Sequence, residues 1–200
     1  MFAGLVSVLA AAAGCTPTSE QPLSDERSSK LDERLLGKWQ SDQVPVRLTP
    51  NPGGPSFVEI KGRAESATGL ELIKLSKRSA AEEAMPFYTT QIGDDRYLTV
   101  DAGGAEATPR AEKTLYYILR YRFVDDDTVE FYAMDDKAIA QTIAKGELKG
   151  SYLGGNPSSA KCVVIADSPE NIRRYLEKHG DECFLRARTD RFVMLTRRSE

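Results

Sequence analysis

From residue 31 onward, apolar and polar positions alternate in short runs bounded by Gly, Pro, Asp or Asn, a rhythm that predicts strands rather than helices. The clearest run is 113–124. There Leu115, Tyr117, Leu119, Tyr121 and Phe123 share one face, and Tyr116, Ile118, Arg120 and Arg122 share the other. Alternation at period two over such a length cannot be buried along one side of a helix. Asp125-Asp126-Asp127 joins this run to a second one at 128–134. Further strands are predicted at 44–48, 56–61, 70–76, 148–153, 161–166 and 191–196. A hairpin is predicted for 87–92 and 96–101 around the turn residues Gly93-Asp94-Asp95. Residues 31–37 suit a short helix or turn, with Leu31, Leu35 and Leu36 on one side, and 137–144 suit a short helical stretch.

One helix is fully signalled. Ser168-Pro169-Glu170 supplies an N-cap, a proline at the first helical position and an acid in the first turn. Ile172, Tyr175 and Leu176 form its apolar stripe, Lys178 and His179 its last turn, and Gly180 its stop. The expected fold is mainly β. About nine or ten sequential strands make an antiparallel sheet, with one late α-helix and a short N-terminal helical turn, and closure into a barrel would remove the exposed edges.

The first residues follow another pattern. Phe2 to Ala13 are small or apolar, and the stretch ends on Ala12-Ala13-Gly14-Cys15, too short to span a bilayer. This end of the chain resembles a bacterial lipoprotein signal, in which small residues precede a cysteine that is acylated and becomes the mature N-terminus. The resemblance implies a signal peptide over 1–14 and a lipid attachment at Cys15. It also implies a bacterial cell-envelope address, membrane-anchored and facing the periplasm or the exterior. Residues 15–30 then form the acylated N-terminus and a flexible tether, because the stretch is rich in Ser and Pro with no apolar cluster beyond Leu23. Acyl chains contribute about 0.8 kcal/mol per buried methylene, so several chains on Cys15 suffice without a basic cluster nearby.

Leu36-Gly37-Lys38-Trp39 stands just after the tether. A Gly-x-Trp at the entry to an antiparallel barrel resembles the lipocalins and their bacterial lipocalin-like, calycin-type relatives. The resemblance implies a barrel domain over 31–200, closed at one end where an arginine of the last strand packs across the tryptophan. Arg197 or Arg198 would take that place beside Gly37 and Trp39, and alternation favours Arg197, on the face shared with Val193 and Leu195. It also implies reversible binding of a small, partly apolar ligand without chemistry. Tyr117, Leu119, Tyr121 and Phe123 would point inward, lining either a pocket or a solid core. The alternative is a tethered interaction domain that binds another envelope protein through its outer surface.

Composition narrows the remaining chemistry. The 200 residues are 40% apolar and 28% charged with a net charge of −3, which fits one domain plus a tail and argues against nucleic acid as a partner. The single histidine, His179, sits where a cation favours a helix C-terminus, so an imidazole-based metal site or triad has little to build on. Ser158-Ser159-Ala160-Lys161 spells Ser-x-x-Lys, but it enters a strand where that motif needs a helix. Asp125–Asp127 and Asp135-Asp136 lack a calcium-loop spacing and read as turn formers. Arg120 and Arg122, with Arg110 and Lys113, face either the lumen or solvent. Export would place Cys162 and Cys183 in an oxidising compartment, where the pair bridges or stays as two buried thiols. No catalytic residue, metal or cofactor is expected.

Overall fold

The computed structural model describes residues 16–41, 56–62, 70–75, 83–101, 114–185 and 193–198. The chain is mainly β, and the described residues form one mixed sheet of eleven strands and two α-helices. The strands are β1 (Thr18–Ser19), β2 (Gly37–Ser41), β3 (Ser56–Gly62), β4 (Leu70–Leu75), β5 (Glu83–Ile92) and β6 (Asp95–Asp101). They continue as β7 (Tyr116–Phe123), β8 (Thr128–Ala133), β9 (Gly150–Leu153), β10 (Lys161–Ile165) and β11 (Val193–Arg197). The helices are α1 (Asp136–Ala144) and α2 (Pro169–Cys183), with short 3-10 turns at Glu33–Leu35 and Pro157–Ser159.

Eight strands, β2 to β8 and β11, each have two antiparallel neighbours within that set. The remaining three extend the sheet beyond β7. Ser19 and Thr18 pair antiparallel with Tyr116 and Tyr117, and parallel with Ile165 and Val164, and β9 closes the row beside β10. Among the described residues the expected nine or ten strands become eleven, and the helical stretch expected at 137–144 is present as α1 beside the late helix α2. Helix α1 is capped by Asp135, whose carboxylate accepts from the Lys137 and Ala138 amides. The strand expected at 44–48 lies outside the described residues, and β2 begins at Gly37.

Both faces of β7 carry buried residues, which explains its mixed alternation, while Arg122 toward its end stays exposed. Leu119 and Tyr121 join Trp39, Phe87, Phe131 and Leu195 in one apolar cluster, with Phe123 packed against it. Ile118 on the opposite face joins a second cluster with Tyr97 and Tyr132, closed over by Ile139 of α1, Val163 of β10 and Ile172 of α2. Among the described residues, no helix is long and apolar enough to cross a membrane.

Two sequence expectations fail here for identifiable reasons. Residues 16–30 are not a free tether. Leu23 and Ser19 are fully buried, the Ser24 hydroxyl lies 2.6 Å from that of Thr90, and Ser29 donates to the Thr89 carbonyl at 3.1 Å. The buried serines that read as solvated spacers instead bond to the Thr90 hydroxyl and to the Gln21 and Thr89 carbonyls, so burial costs them little. Nor does α2 stop at Gly180. It runs on to Cys183, and a Cβ at Gly180 would lie 2.8 Å from the Tyr97 hydroxyl. The glycine therefore provides close approach between helix and sheet rather than a C-cap.

Candidate functional site

The end of the eight-strand set where β2 begins and β11 finishes is built around Trp39. Its indole is fully buried and donates to the Leu35 carbonyl at 2.8 Å, which ties β2 to the 3-10 turn preceding it. Asp32 caps that turn by accepting from the Arg34 amide. The Arg197 guanidinium lies with its central carbon 4.3 Å from the Trp39 ring centroid. Its two terminal nitrogens donate to the Leu36 and Arg34 carbonyls, each at 2.8 Å, and its Nε lies 3.4 Å from an Asp127 carboxylate oxygen. Gly37 has φ of +126°, and a Cβ there would come within 2.9 Å of the guanidinium. Geometry and space both call for glycine at that position.

Of the residues singled out in the sequence, Gly37, Trp39 and Arg197 thus come together at one end of the sheet. Leu119 and Tyr121 are buried in the cluster above Trp39, Phe123 lies against it beneath Arg34, whose guanidinium carbon is 3.8 Å from the ring centroid, and Tyr117 is half-buried. Cys15, Arg110 and Lys113 lie outside the described residues. Cys162 and Cys183 are not bridged. Val163 and Ile165 turn into the second cluster with Cys183, whereas Cys162, at φ of +50°, is exposed.

Beside Tyr121 opens a polar cleft of about 250 Å³, lined by Lys30, Asp32, Thr89, Gln91 and Arg96 among others. The Tyr121 hydroxyl donates to Asp32 at 2.8 Å, and Arg96 Nε lies 3.5 Å from the same carboxylate oxygen. Burial, and then the Asp32 charge, push the Tyr121 phenol well above its ordinary range. Sequence reasoning missed Asp32 and Arg96, because the triad joins residues far apart in the chain. Asp32 alone had a local signal, as the polar residue preceding a short helical turn.

The outer face carries two further ionic groups. Glu130 is fully buried, accepting from the Tyr132 hydroxyl at 2.6 Å and from Arg122 at 2.8 and 2.9 Å. Arg120 pairs with Asp181 at 2.8 Å and lies over the Phe184 ring at 5.3 Å. Both arginines therefore serve the packing of the outer layer and do not enter the interior.

On α2, a shallow cleft of about 380 Å³ is lined by Glu147, Asn171, Arg174, Tyr175, Lys178 and His179. His179 stacks on Tyr175 at 4.9 Å and lies 3.6 Å from Glu182. With α2 continuing to Cys183, it no longer occupies the final turn. The Cys183 thiol donates to the His179 carbonyl, and burial pushes its pKa up to about 11, so it is held as an unactivated thiol. Ser158 and Ser159 lie in a 3-10 turn capped by Asn156. Asp125 accepts from the Asp127 amide as an ordinary turn residue. Among the described residues, no group of three His, Cys, Asp or Glu side chains is placed to hold a metal.

No protein-family model matches the chain, and no curated protein matches it. A solved structure of a DUF4909 family protein from Staphylococcus aureus subsp. aureus Mu50 is similar over 82% of this chain and 98% of that chain, at 12% identity and a TM-score of 0.38.

Proposed function

We propose that the protein is a lipid-anchored lipoprotein of the bacterial cell envelope, acylated on Cys15. Its eight mutually paired strands act as a lipocalin-like barrel, and its work is non-catalytic docking to another envelope protein. The observation that carries the docking reading is the packed interior. Among the described residues, Trp39, Phe87, Leu119, Tyr121 and Phe131 are all at most 5% exposed and pack in one apolar cluster, which supports a solid interior over a ligand cavity. The layer of β9, β10, α1 and α2, packed over Ile118, Tyr97 and Tyr132, supports the docking reading by adding outer surface to the eight strands.

A second reading, reversible binding of a small, partly apolar ligand, is favoured by Tyr117. This ring is half-buried toward the opposite end of the strand set, beyond Leu119. Native mass spectrometry of protein purified gently from an envelope extract separates the two. A bare mass, together with a cross-linked partner in the same extract, supports docking. A reproducible extra small-molecule mass on the folded protein overturns it in favour of the carrier.

A further inference from the structure

We propose that the acylated protein rests flush on the bilayer, with the tip of the β9–β10 hairpin, Leu153 to Lys161, as its membrane-contacting element. The proposal rests on the lipid-anchor reading above. Only Thr16 and Pro17 separate Cys15 from β1, and Pro17 is already buried. A fully extended residue spans at most about 3.6 Å, so the Cα of Cys15 lies within about 11 Å of Thr18. No slack remains to hold the domain away from the membrane.

The parallel register says which side faces it. Thr18 sits beside Val164 and Ser19 beside Ile165, so the chain traced back from Thr18 runs in the same sense as β10 traced back from Val164 to Lys161. That direction ends at the hairpin tip. A bilayer holding the acyl chains of Cys15 is brought to the neighbourhood of Leu153 and Lys161.

The tip has the chemistry for that neighbour. Between Gly150 and Ala166 the single charged residue is Lys161, and there is no acid. The tips of the β5–β6 and β7–β8 hairpins carry Asp94-Asp95 and Asp125–Asp127, which an anionic surface repels. Leu153 is 66% exposed and pairs directly across the ladder with Lys161. An apolar side chain beside a lysine matches an interface of anionic headgroups over acyl chains. The 3-10 turn Pro157–Ser159, with Asn156 accepting from the Ser159 amide at 3.1 Å, shapes the tip that presents them.

The test uses the acylated full-length product, reconstituted in phosphatidylethanolamine/phosphatidylglycerol vesicles. A polarity-sensitive fluorophore is attached through Ser158→Cys in a Cys162→Ser background, where the buried Cys183 thiol stays unlabelled. The protein is expected to float with the vesicles. Its emission should shift to the blue and fall at least about twofold with headgroup-proximal nitroxide lipid, and Leu153→Asp should weaken that quenching without abolishing flotation. Flotation with unquenched, solvent-like emission overturns the flush contact while leaving the anchor in place. Emission that shifts only when envelope extract is added overturns it in favour of a protein contact. Failure of the chain to float, or equal flotation of Cys15→Ala, overturns the anchor and the contact with it.

Discussion

Arg197 lies across the face of Trp39, its guanidinium carbon 4.3 Å from the ring centroid, while its terminal nitrogens hold the carbonyls of Leu36 and Arg34. One side chain from the last strand thereby joins the first strand of the eight to the turn that precedes it. Trp39→Ala removes a fully buried ring and should cost about 3–5 kcal/mol in denaturant unfolding. Arg197→Lys should cost about 2–3 kcal/mol despite keeping the charge, because an ammonium cannot lie over the ring and reach both carbonyls. A double-mutant cycle between the two should return a coupling of about 1–2 kcal/mol. Additive losses would show that the two side chains stabilise the fold independently.

Tyr121 and Asp32 tie the interior cluster to the polar cleft that both residues line. Tyr121→Phe keeps the ring and removes only the donor to the carboxylate, so about 1–2 kcal/mol should be lost. Its phenol, raised by burial and by Asp32, should stay protonated where an exposed tyrosine ionises. Ultraviolet titration of wild type against Tyr121→Phe should therefore show no tyrosinate signal missing from the variant at pH 10–11. A tyrosinate signal lost from the variant in that range would mean that Tyr121 is solvated.

The elements that could be read from the sequence are those whose signal is local. β7 announces itself because Leu119 and Tyr121 alternate with Ile118 and Arg120, although only the structure shows that both faces are covered. Gly37 and Trp39 were legible through spacing, and Arg197 through its face on β11. Three features were not legible, each because a distant partner decides it. β1 is two small polar residues whose ladder exists only because β7 and β10 stand on either side. Gly180 looks like a helix stop until Tyr97 is placed against it. Asp32 gains its partners Tyr121 and Arg96 only once the sheet brings their strands past the first turn.

Asp167 provides a pH test of the helix layer. Its carboxylate accepts from the Lys149 amide at 2.9 Å, the Ser168 amide at 2.8 Å and the Asn171 side chain at 2.9 Å, linking the start of α2 to the approach of β9. Burial opposes ionisation, but these hydrogen bonds outweigh it and hold the pKa below the ordinary aspartate value. A lowered acid contributes stability above its unfolded pKa of about 3.9, and that contribution is lost as pH falls through the folded value. The gap in urea midpoint between wild type and Asp167→Asn should be full at pH 7 and narrow as pH drops below about 4. A gap that is constant with pH would show that the charge is immaterial there.

The two thiols should differ in reactivity. In a Cys15→Ala chain, an aromatic disulfide reagent at pH 8 should titrate Cys162 quickly and Cys183 only on unfolding. Cys162 is exposed, whereas the Cys183 thiol is buried with its pKa pushed up to about 11. Two fast thiols would mean that α2 opens readily from the sheet. None would mean that the pair had been oxidised to a bridge after a rearrangement of β10.

The N-terminal segment gives the sharpest contrast between a tether and a structural element. Leu23 is fully buried in the outer cluster with Ile118 and Ile165, its amide donating to the Thr99 hydroxyl. Leu23→Ala should therefore cost about 2–5 kcal/mol, the range for a leucine truncated in a core. Deleting 16–24 should cost more, since it also leaves Tyr116, Tyr117, Val164 and Ile165 without their β1 partner and takes away the hydroxyl that meets Thr90. Both losses are measurable by urea unfolding of the soluble Cys15→Ala chain. A solvated spacer would leave the midpoint within about 0.5 kcal/mol of wild type in either variant. That result would remove the geometric basis of the proposed membrane contact at the hairpin tip.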